Sequence, residues 1–420
     1  MAACGLDFGT SNTTLGTTIG LSGPGTPALV PLEGEAVTIP SAIFYGRDGE
    51  RRIGRAAMQA YMDAVPGRLM RSLKSVLGSS LLDEVTQVGR ERVRFSQVIA
   101  QYLAVVKRRA EIRTGQELVS VVHGRPVHFV DDDPEGDRRA EAALAEIARS
   151  IGFTDVSFQY EPIAAAFDYE SGLSGEEIAL IADIGGGTSD FSIVRLGPDR
   201  HDQLDRAGDI LANDGVRIGG TDFDRLLSLG TVMPLLGFGS PMKREGLAVP
   251  SAYFHDLATW SSINRLYDPK IGRELREVRR DARRPALIDR LVRVIEDERG
   301  HTLAMDIEDA KIGLADEPAW EIALDWLEDG LAATIDRADL VRHTDRLSVR
   351  IAARVGRCLD QAGLRAGAID AVFLTGGSTR LAHVRAAILD ALPGARVVEG
   401  DTFGSVGTGL AIEAKRRYGT

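Results

Sequence analysis

Apolar and polar positions along the chain fall into short blocks of period two, separated by blocks of helical period. The first residues form an apolar strand running into "LDFGTSN", and "TTLGTTIG" follows as a second β-rich run. "LVSVVHGRPVHFV", Leu118 to Val130, predicts a β-branched strand ending in an extended Gly-Arg-Pro turn. Pro134 then opens a helix, with Ala142, Ala145, Ile147 and Ile151 on one face. "DVSFQY" predicts another strand, and "EPIAAAFDYE" a helix of small residues. "LIADIGGGTSDFSIV", Leu180 to Val194, is an apolar strand, three glycines and a second alternating run, which together predict a hairpin. "RIGGTDFDRLLSLG" predicts a Gly-Gly turn capped by Thr221 and Asp222 into a helix. "DAVFLTGGSTRLAHVRAAILDAL" predicts strand, turn and amphipathic helix, and "GLAIEAKRRYG" a closing helix. Between about Thr231 and Gly300 the pattern is weakest. From Gly272 to Arg299, nine arginines alternate with seven acids, the signature of a solvated helical face.

Strands alternating with helices give the α/β class. The 420 residues are too many for one compact core and suit two lobes, and no low-complexity linker divides them. A formal charge of -11 argues against broad binding to nucleic acid or anionic membrane. Cys4 and Cys358 are too few and too far apart for a disulfide framework or a zinc site. The first residues lack the basic and apolar regions of a signal peptide, and no apolar run reaches the roughly 20 residues of a membrane span. A cytoplasmic setting is expected. The acids Asp131 to Asp133 are expected to be a solvated helix N-terminus, not a metal site.

The chemistry concentrates in the glycines. A dinucleotide fingerprint needs glycines at a strand-to-helix turn, and a P-loop needs Gly-Lys-Ser or Gly-Lys-Thr. Here "TSDFSIV" follows the glycines, so neither applies. A hairpin can still hold phosphate, because glycine lets backbone N–H groups approach an oxyanion and Thr188 adds a hydroxyl. Asp183, at the strand end, is placed for hydrated Mg²⁺. "LDFGTSN" repeats the same grammar with Asp7, Gly9 and Thr10. Two such hairpins suggest two related lobes facing one cleft.

Five segments carry a family resemblance: "GLDFGTSN", "ADIGGGTSDFS", "QYEPIAAAFDY", "IGGTDFD" and "LTGGSTR", supported by "TIPSAIFY", "RIGRAAMQAY" and "KSVLG". In this order they resemble the nucleotide-binding domain of DnaK-type (heat shock protein 70) chaperones, in the actin, hexokinase and heat-shock ATPase superfamily. The nearest likeness is the short YegD-like branch, which lacks a peptide-binding domain. The resemblance implies an actin-like ATPase fold, two lobes with ribonuclease H-like cores flanking a nucleotide cleft. Lobe I would span residues 1–174 and lobe II 175–398, with a C-terminal helix, 399–420, returning to lobe I.

The resemblance also implies roles. Asp7 and Asp183 would hold Mg²⁺, largely through waters. Gly9, Thr10, Ser11 and Asn12 would cradle β- and γ-phosphates of ATP or ADP from one side, and Gly185, Gly186, Gly187 and Thr188 from the other. Lys74 would be the catalytic lysine and Glu161 the acid that positions water. Asp183 and Thr188 would complete the catalytic group, and Asp190 would support the second loop. Pro126 and Glu161 match positions that couple nucleotide state to domain motion. Gly376, Gly377 and Ser378 would meet ribose and α-phosphate, and Glu308 and Lys311 the nucleoside side. Ile312 and Ala315 replace the family's adenine-stacking arginine and its serine, and "GDTFGSVGTGLA" replaces an acidic segment. The expected activity is a chaperone-related ATPase switch, monomeric or weakly oligomeric, acting on a protein client or with a co-chaperone. An actin-like filament former and a small-molecule kinase are the alternatives on the same fold.

Overall fold

The computed structural model describes residues 2–18, 26–47, 49–63, 65–88, 91–130, 133–201, 203–398 and 404–419. Asp131, Asp132 and the stretch 399–403 of the C-terminal segment lie outside them.

Two sheets with the same strand order organise the chain. The first uses β1 (Ala2–Phe8), β2 (Asn12–Thr17), β3 (Ala28–Leu29), β4 (Leu118–Arg125) and β5 (Asp155–Tyr160) in the order β5-β4-β1-β2-β3. A short strand, Thr38–Pro40, also pairs with β2. The second uses β6 (Glu177–Ile184), β7 (Ser189–Leu196), β8 (Ile210–Val216), β9 (Ala371–Thr375) and β10 (Arg396–Val398) in the order β8-β7-β6-β9-β10. In each, three antiparallel strands are followed by two parallel ones. This is the pair of related lobes that the paired hairpins suggested, and the actin-like fold that the family resemblance implied. Both central strands, β1 and β6, are almost wholly buried, which is why they read as continuous apolar runs.

The helices that position the site are α1 (Arg55–Met62), α2 (Phe95–Thr114), α3 (Pro134–Ser150), α4 (Glu161–Glu170), α5 (Gly220–Thr231), α6 (Gly300–Asp316), α7 (Arg337–Ala362) and α8 (Ser405–Tyr418). α3 begins at Pro134, and Asp133 caps it by accepting from the Gly136 N–H at 2.9 Å. Its buried stripe is Ala140, Leu144, Ala145, Ile147 and Ala148, whereas Ala142 faces solvent. The expected face was therefore rotated by part of a turn. The arginine-rich region forms two helices, Pro269–Asp281 and Pro285–Glu296, joined by ion pairs such as Arg279–Asp289.

One core lies under each sheet, and a third joins them. The third combines Ala3 and Val122 of the first sheet, Ala179 and Ile181 of the second, Ala164 of α4 and Leu410 of α8. Close approach here depends on small residues: a Cβ at Gly409 would collide with the Ala164 carbonyl, and one at Gly5 with the backbone of Leu410. α8 thus lies against both β1 and α4. Among the described residues no helix is long and apolar enough to cross a membrane.

Candidate functional site

The two glycine hairpins face each other between the sheets. In the second, Ile184 pairs with Ser189, and the Gly185 N–H donates to the Thr188 carbonyl at 2.9 Å. That closes a four-residue loop whose continuation is a strand, as the alternating "SDFSIV" predicts. The Thr188 hydroxyl donates to Asp190 Oδ2 at 2.8 Å, which fixes its rotamer. In the first hairpin the Ser41 hydroxyl donates to the Gly9 carbonyl at 2.7 Å, and the Ser41 N–H to the Ser11 carbonyl at 2.8 Å. Ser11 is so close to the opposite loop that a Cβ at Gly186 would collide with its hydroxyl. Glycine at 186 is therefore a packing requirement as well as a phosphate signal.

Between the loops lies a charged cluster. Lys74 sits in a 3₁₀ turn, Leu73–Val76, preceded by Ser72 at φ 57°, a left-handed conformation that is uncommon outside glycine. Its ammonium donates to Glu161 Oε1 at 2.6 Å, and both side chains are largely buried. Glu161 is the first residue of α4, set there by β5 and by Pro162 in the first turn. Burial raises the Asp7 carboxyl to about 7, helped by the charges of Glu161 and Asp183 against the opposing pull of Lys74. Burial likewise raises Asp183 to about 7, reinforced by Asp190 and Glu161. Burial pulls the Lys74 ammonium down, but Glu161, Asp7 and Asp183 together hold it above its ordinary value. Three carboxylates, Glu161, Asp7 and Asp183, thus converge on one ammonium. Such a site lacks positive charge, which a divalent cation would supply. Among the described residues no three His, Cys, Asp or Glu side chains group as a metal cage. Two carboxylates, Asp7 and Asp183, fit a hard cation that keeps most of its waters, as Mg²⁺ does.

A second group converges on the other side of the loop. The Gly220 N–H donates to the Gly185 carbonyl, and the Thr221 N–H and hydroxyl both donate to the Gly186 carbonyl, each at 2.9 Å. Thr221 was expected to cap α5; it instead ties α5 to the loop, and Asp222 accepts from the Gly219 N–H. A Cβ at Gly220 would lie 3.1 Å from the Ser378 hydroxyl and 3.2 Å from Lys311 Nζ. Gly376, at φ 81°, leaves room only for hydrogen: a Cβ there would stand 2.6 Å from Asp183 Oδ1. Gly377 and Ser378 follow in a 3₁₀ turn rather than at a helix N-terminus.

Lys311 is buried and paired with Asp224 Oδ1 at 2.8 Å, and it donates to the Gly220 carbonyl at 3.2 Å. Glu308, on the same helix, makes no hydrogen bond or ion pair with a described residue, and nor do the side chains of Thr10 and Asn12. Ile312 is half exposed. Sequence reasoning did not single out Ser41, Asp224 or His123. Ser41 and Asp224 stand inside quoted motifs, but only the fold shows what they touch. His123 is wholly buried behind Lys74, and its Nδ1 lies 3.1 Å from the Gly124 carbonyl. A small cavity of about 40 Å³ lies beside the cluster, lined by Pro126, Glu161, Asp183, Asp190, Asn213 and Thr375.

A family model described as "Hsp70 protein" matches residues 3–230 and 293–415, most of the chain and every residue of this cluster. The chain belongs to the Hsp70 family. The unmatched stretch between these segments is the helical region where the hydrophobic pattern was weakest. Among curated Hsp70-type relatives, a "Chaperone protein HscA homolog" of Azotobacter vinelandii is 30% identical over 314 residues, covering 69% of this chain and 46% of the relative. The homologue of Bordetella petrii is 35% identical over 243 residues, covering 54% of this chain and 36% of its own length. That of Janthinobacterium sp. is 27% identical over 430 residues, covering 98% of this chain and 58% of its own length. The chain spans about half the length of the curated relatives it matches.

Proposed function

We propose that this chain is a Mg-ATP-driven conformational switch of the Hsp70 type, chaperone-related and ATP-hydrolysing. The observation that carries the reading is the Lys74–Glu161 pair, 2.6 Å apart, facing Asp7 and Asp183 between two glycine hairpins. Phosphoryl transfer to water asks mainly for positioning and charge neutralisation. The backbone N–H groups of residues 9–12 and 185–188 would hold the β- and γ-phosphates, with Thr188 held in place by Asp190. Mg²⁺, held by Asp7 and Asp183 largely through waters, would offset charge on the β- and γ-phosphates. Lys74 would add its own charge on the γ-phosphate side, releasing Glu161 to orient or deprotonate the attacking water.

Gly376, Gly377 and Ser378 would lie along the α-phosphate and ribose. Lys311, committed to Asp224, would shape the nucleoside wall more than contact it directly. Ile312 would offer an apolar face in place of a stacking cation, so purine selectivity should be looser than with arginine there. The functional division we propose is lobe I, 1–174, lobe II, 175–398, and a C-terminal segment, 399–420, that docks back on lobe I. As the relatives' names are chaperone names, a protein client or co-chaperone is the proposed partner. A cytoplasmic setting suits two free, buried cysteines. The test is ATP turnover by the pure protein beside Lys74→Ala. Turnover that depends on Mg²⁺ and falls in the variant supports the reading, and wild-type turnover no higher than the variant's overturns hydrolysis.

A further inference from the structure

Behind the turn that braces the second phosphate loop is a concave pocket of about 410 Å³, walled by that turn, α5 and α7. Its wall carries four arginines, Arg217, Arg225, Arg346 and Arg350, above a buried apolar floor of Ile218, Leu226 and Leu347. Arg217 precedes the Gly219–Gly220 turn, Arg225 belongs to α5, and Arg346 and Arg350 stand one turn apart on α7. None of the four makes an ion pair or a side-chain hydrogen bond with a described residue. Their neighbours differ in this respect. Toward one end of α7, Arg342 is paired with Asp339 at 2.9 Å. Toward the other, Arg354 and Arg357 share Asp214 at 3.5 and 3.1 Å. The pairing stops where the pocket begins. Asp222 is the pocket's one acid, and its carboxylate already accepts from the Gly219 N–H at 3.1 Å.

We propose that this pocket is a second anion site, taking a compact ligand that carries two or more phosphate groups. Three observations converge on that class. Four guanidinium groups against one carboxylate leave a local excess of about three positive charges, on a chain whose formal charge is -11. Arginine presents a planar fork of donors matched to phosphate oxygens, and residues at i and i+4 on a helix hold their Cβ atoms about 5–6 Å apart, so Arg346 and Arg350 can engage adjacent charged groups. The ligand must also be small. Beyond a Debye length of about 8 Å at physiological ionic strength, a long polyanion would meet the acidic remainder of the surface. The pocket's volume, about 410 Å³, falls in the range of small-ligand pockets, roughly 300–1,000 Å³. The ligand would lie on the far side of the Ile218–Thr221 turn from the Gly185–Gly186 backbone that this turn hydrogen-bonds.

The test is a calorimetric titration of tripolyphosphate into the full chain, without magnesium so that the metal-dependent cleft contributes least. The comparison proteins are Arg346→Glu/Arg350→Glu and the milder Arg346→Gln/Arg350→Gln, neither of which touches the nucleotide machinery. The expected result is one saturable site of submillimolar affinity that weakens with added salt. It should fall at least tenfold in the charge-reversed protein and by a smaller factor in the glutamine protein, with melting temperatures unchanged. Absence of saturable binding to wild type overturns the site, as does equal binding by all three proteins. Binding of oligoglutamate in place of tripolyphosphate overturns the phosphate assignment. Because the variants lie outside the cleft, these outcomes are independent of whether the chain hydrolyses ATP.

Discussion

Lys74 and Glu161 each neutralise the other in the structure described here, and each has a different task once phosphate arrives. Replacing either by alanine is expected to lower ATP turnover at least tenfold, about 1.4 kcal/mol in barrier, with nucleotide affinity largely kept. Single-turnover hydrolysis beside equilibrium nucleotide binding separates the two effects. Unchanged turnover in both variants would remove the pair from the mechanism. Gly376→Ala probes geometry instead of charge. Its φ of 81° and the 2.6 Å approach of a Cβ to Asp183 Oδ1 predict a loss on the order of 2–4 kcal/mol, through strain and a displaced Asp183 carboxylate. Denaturant unfolding and Mg²⁺-dependent nucleotide binding should both register it. The residue types at this site were legible in the sequence, because each sits in a motif with its own chemistry. Their partners were not. Nothing in the sequence around Lys311 says that Asp224 is its partner, and nothing in "TIPSAIFY" says that Ser41 locks the first hairpin.

Among elements, α4 shows how a helix of small residues is anchored. Its last residue, Glu170, accepts two hydrogen bonds from the wholly buried guanidinium of Arg206, at 2.8 and 2.9 Å. Asp209 takes a third Arg206 N–H, and Glu170 also accepts from the Gly197 N–H. Glu170→Ala strands a buried cation, so a loss of about 3–5 kcal/mol is expected. Replacing Glu170 and Arg206 together by apolar residues of similar size should cost less than the single change. Chemical denaturation of the two proteins decides this, and a larger loss in the double variant would refute the network's role. Strands and helices were largely readable because their periods differ, and even the hairpin after Gly187 followed from alternation. The face of α3 was read less well: Ala142 proved exposed, since alanine carries too little hydrophobic weight to mark a side.

At the scale of the molecule, aromatic contacts join the two halves away from their shared core. The Tyr61 hydroxyl of α1 meets His301 Nδ1 of α6, and His301 stands edge-on to Trp260 at 4.5 Å between centroids. The Arg71 guanidinium lies over Trp260 at 4.5 Å. Aromatic pairs of this kind are worth about 0.5–1.5 kcal/mol each beyond area burial. Trp260→Ala is therefore expected to speed nucleotide release by roughly two- to twelvefold, measured by stopped-flow displacement of a fluorescent nucleotide. Two buried histidines should make stability sensitive to acid. Burial lowers both His123 and His301 from 6.5 to about 4. A folded-state value below the unfolded one means their contribution is intact above about 6.5 and is lost as pH falls from there toward 4. Asp7 and Asp183, raised to about 7, act in the opposite sense and add stability as pH falls through the same window, so the histidines are read by difference: His123→Leu should gain melting temperature relative to wild type as pH falls from 6.5 toward 4. A difference between the two proteins that does not change with pH would exclude His123 as a cause.

The sequence by itself determined the α/β class, the repeated strand–glycine–strand hairpins and the acids at their ends. These are local properties, because alternation, glycine and a charged residue closing an apolar strand all act within a few residues. Only the tertiary structure decided that Ser11 nearly touches Gly186, that Gly376 must lack a side chain because Asp183 is there, and that Lys74 meets Glu161 across 87 positions. It alone decided that four arginines from three segments would stand together with a single acid, Asp222, among them. Each of these is a meeting between distant segments, and such a meeting is set by how sheets and helices close on a shared core, which no local period records.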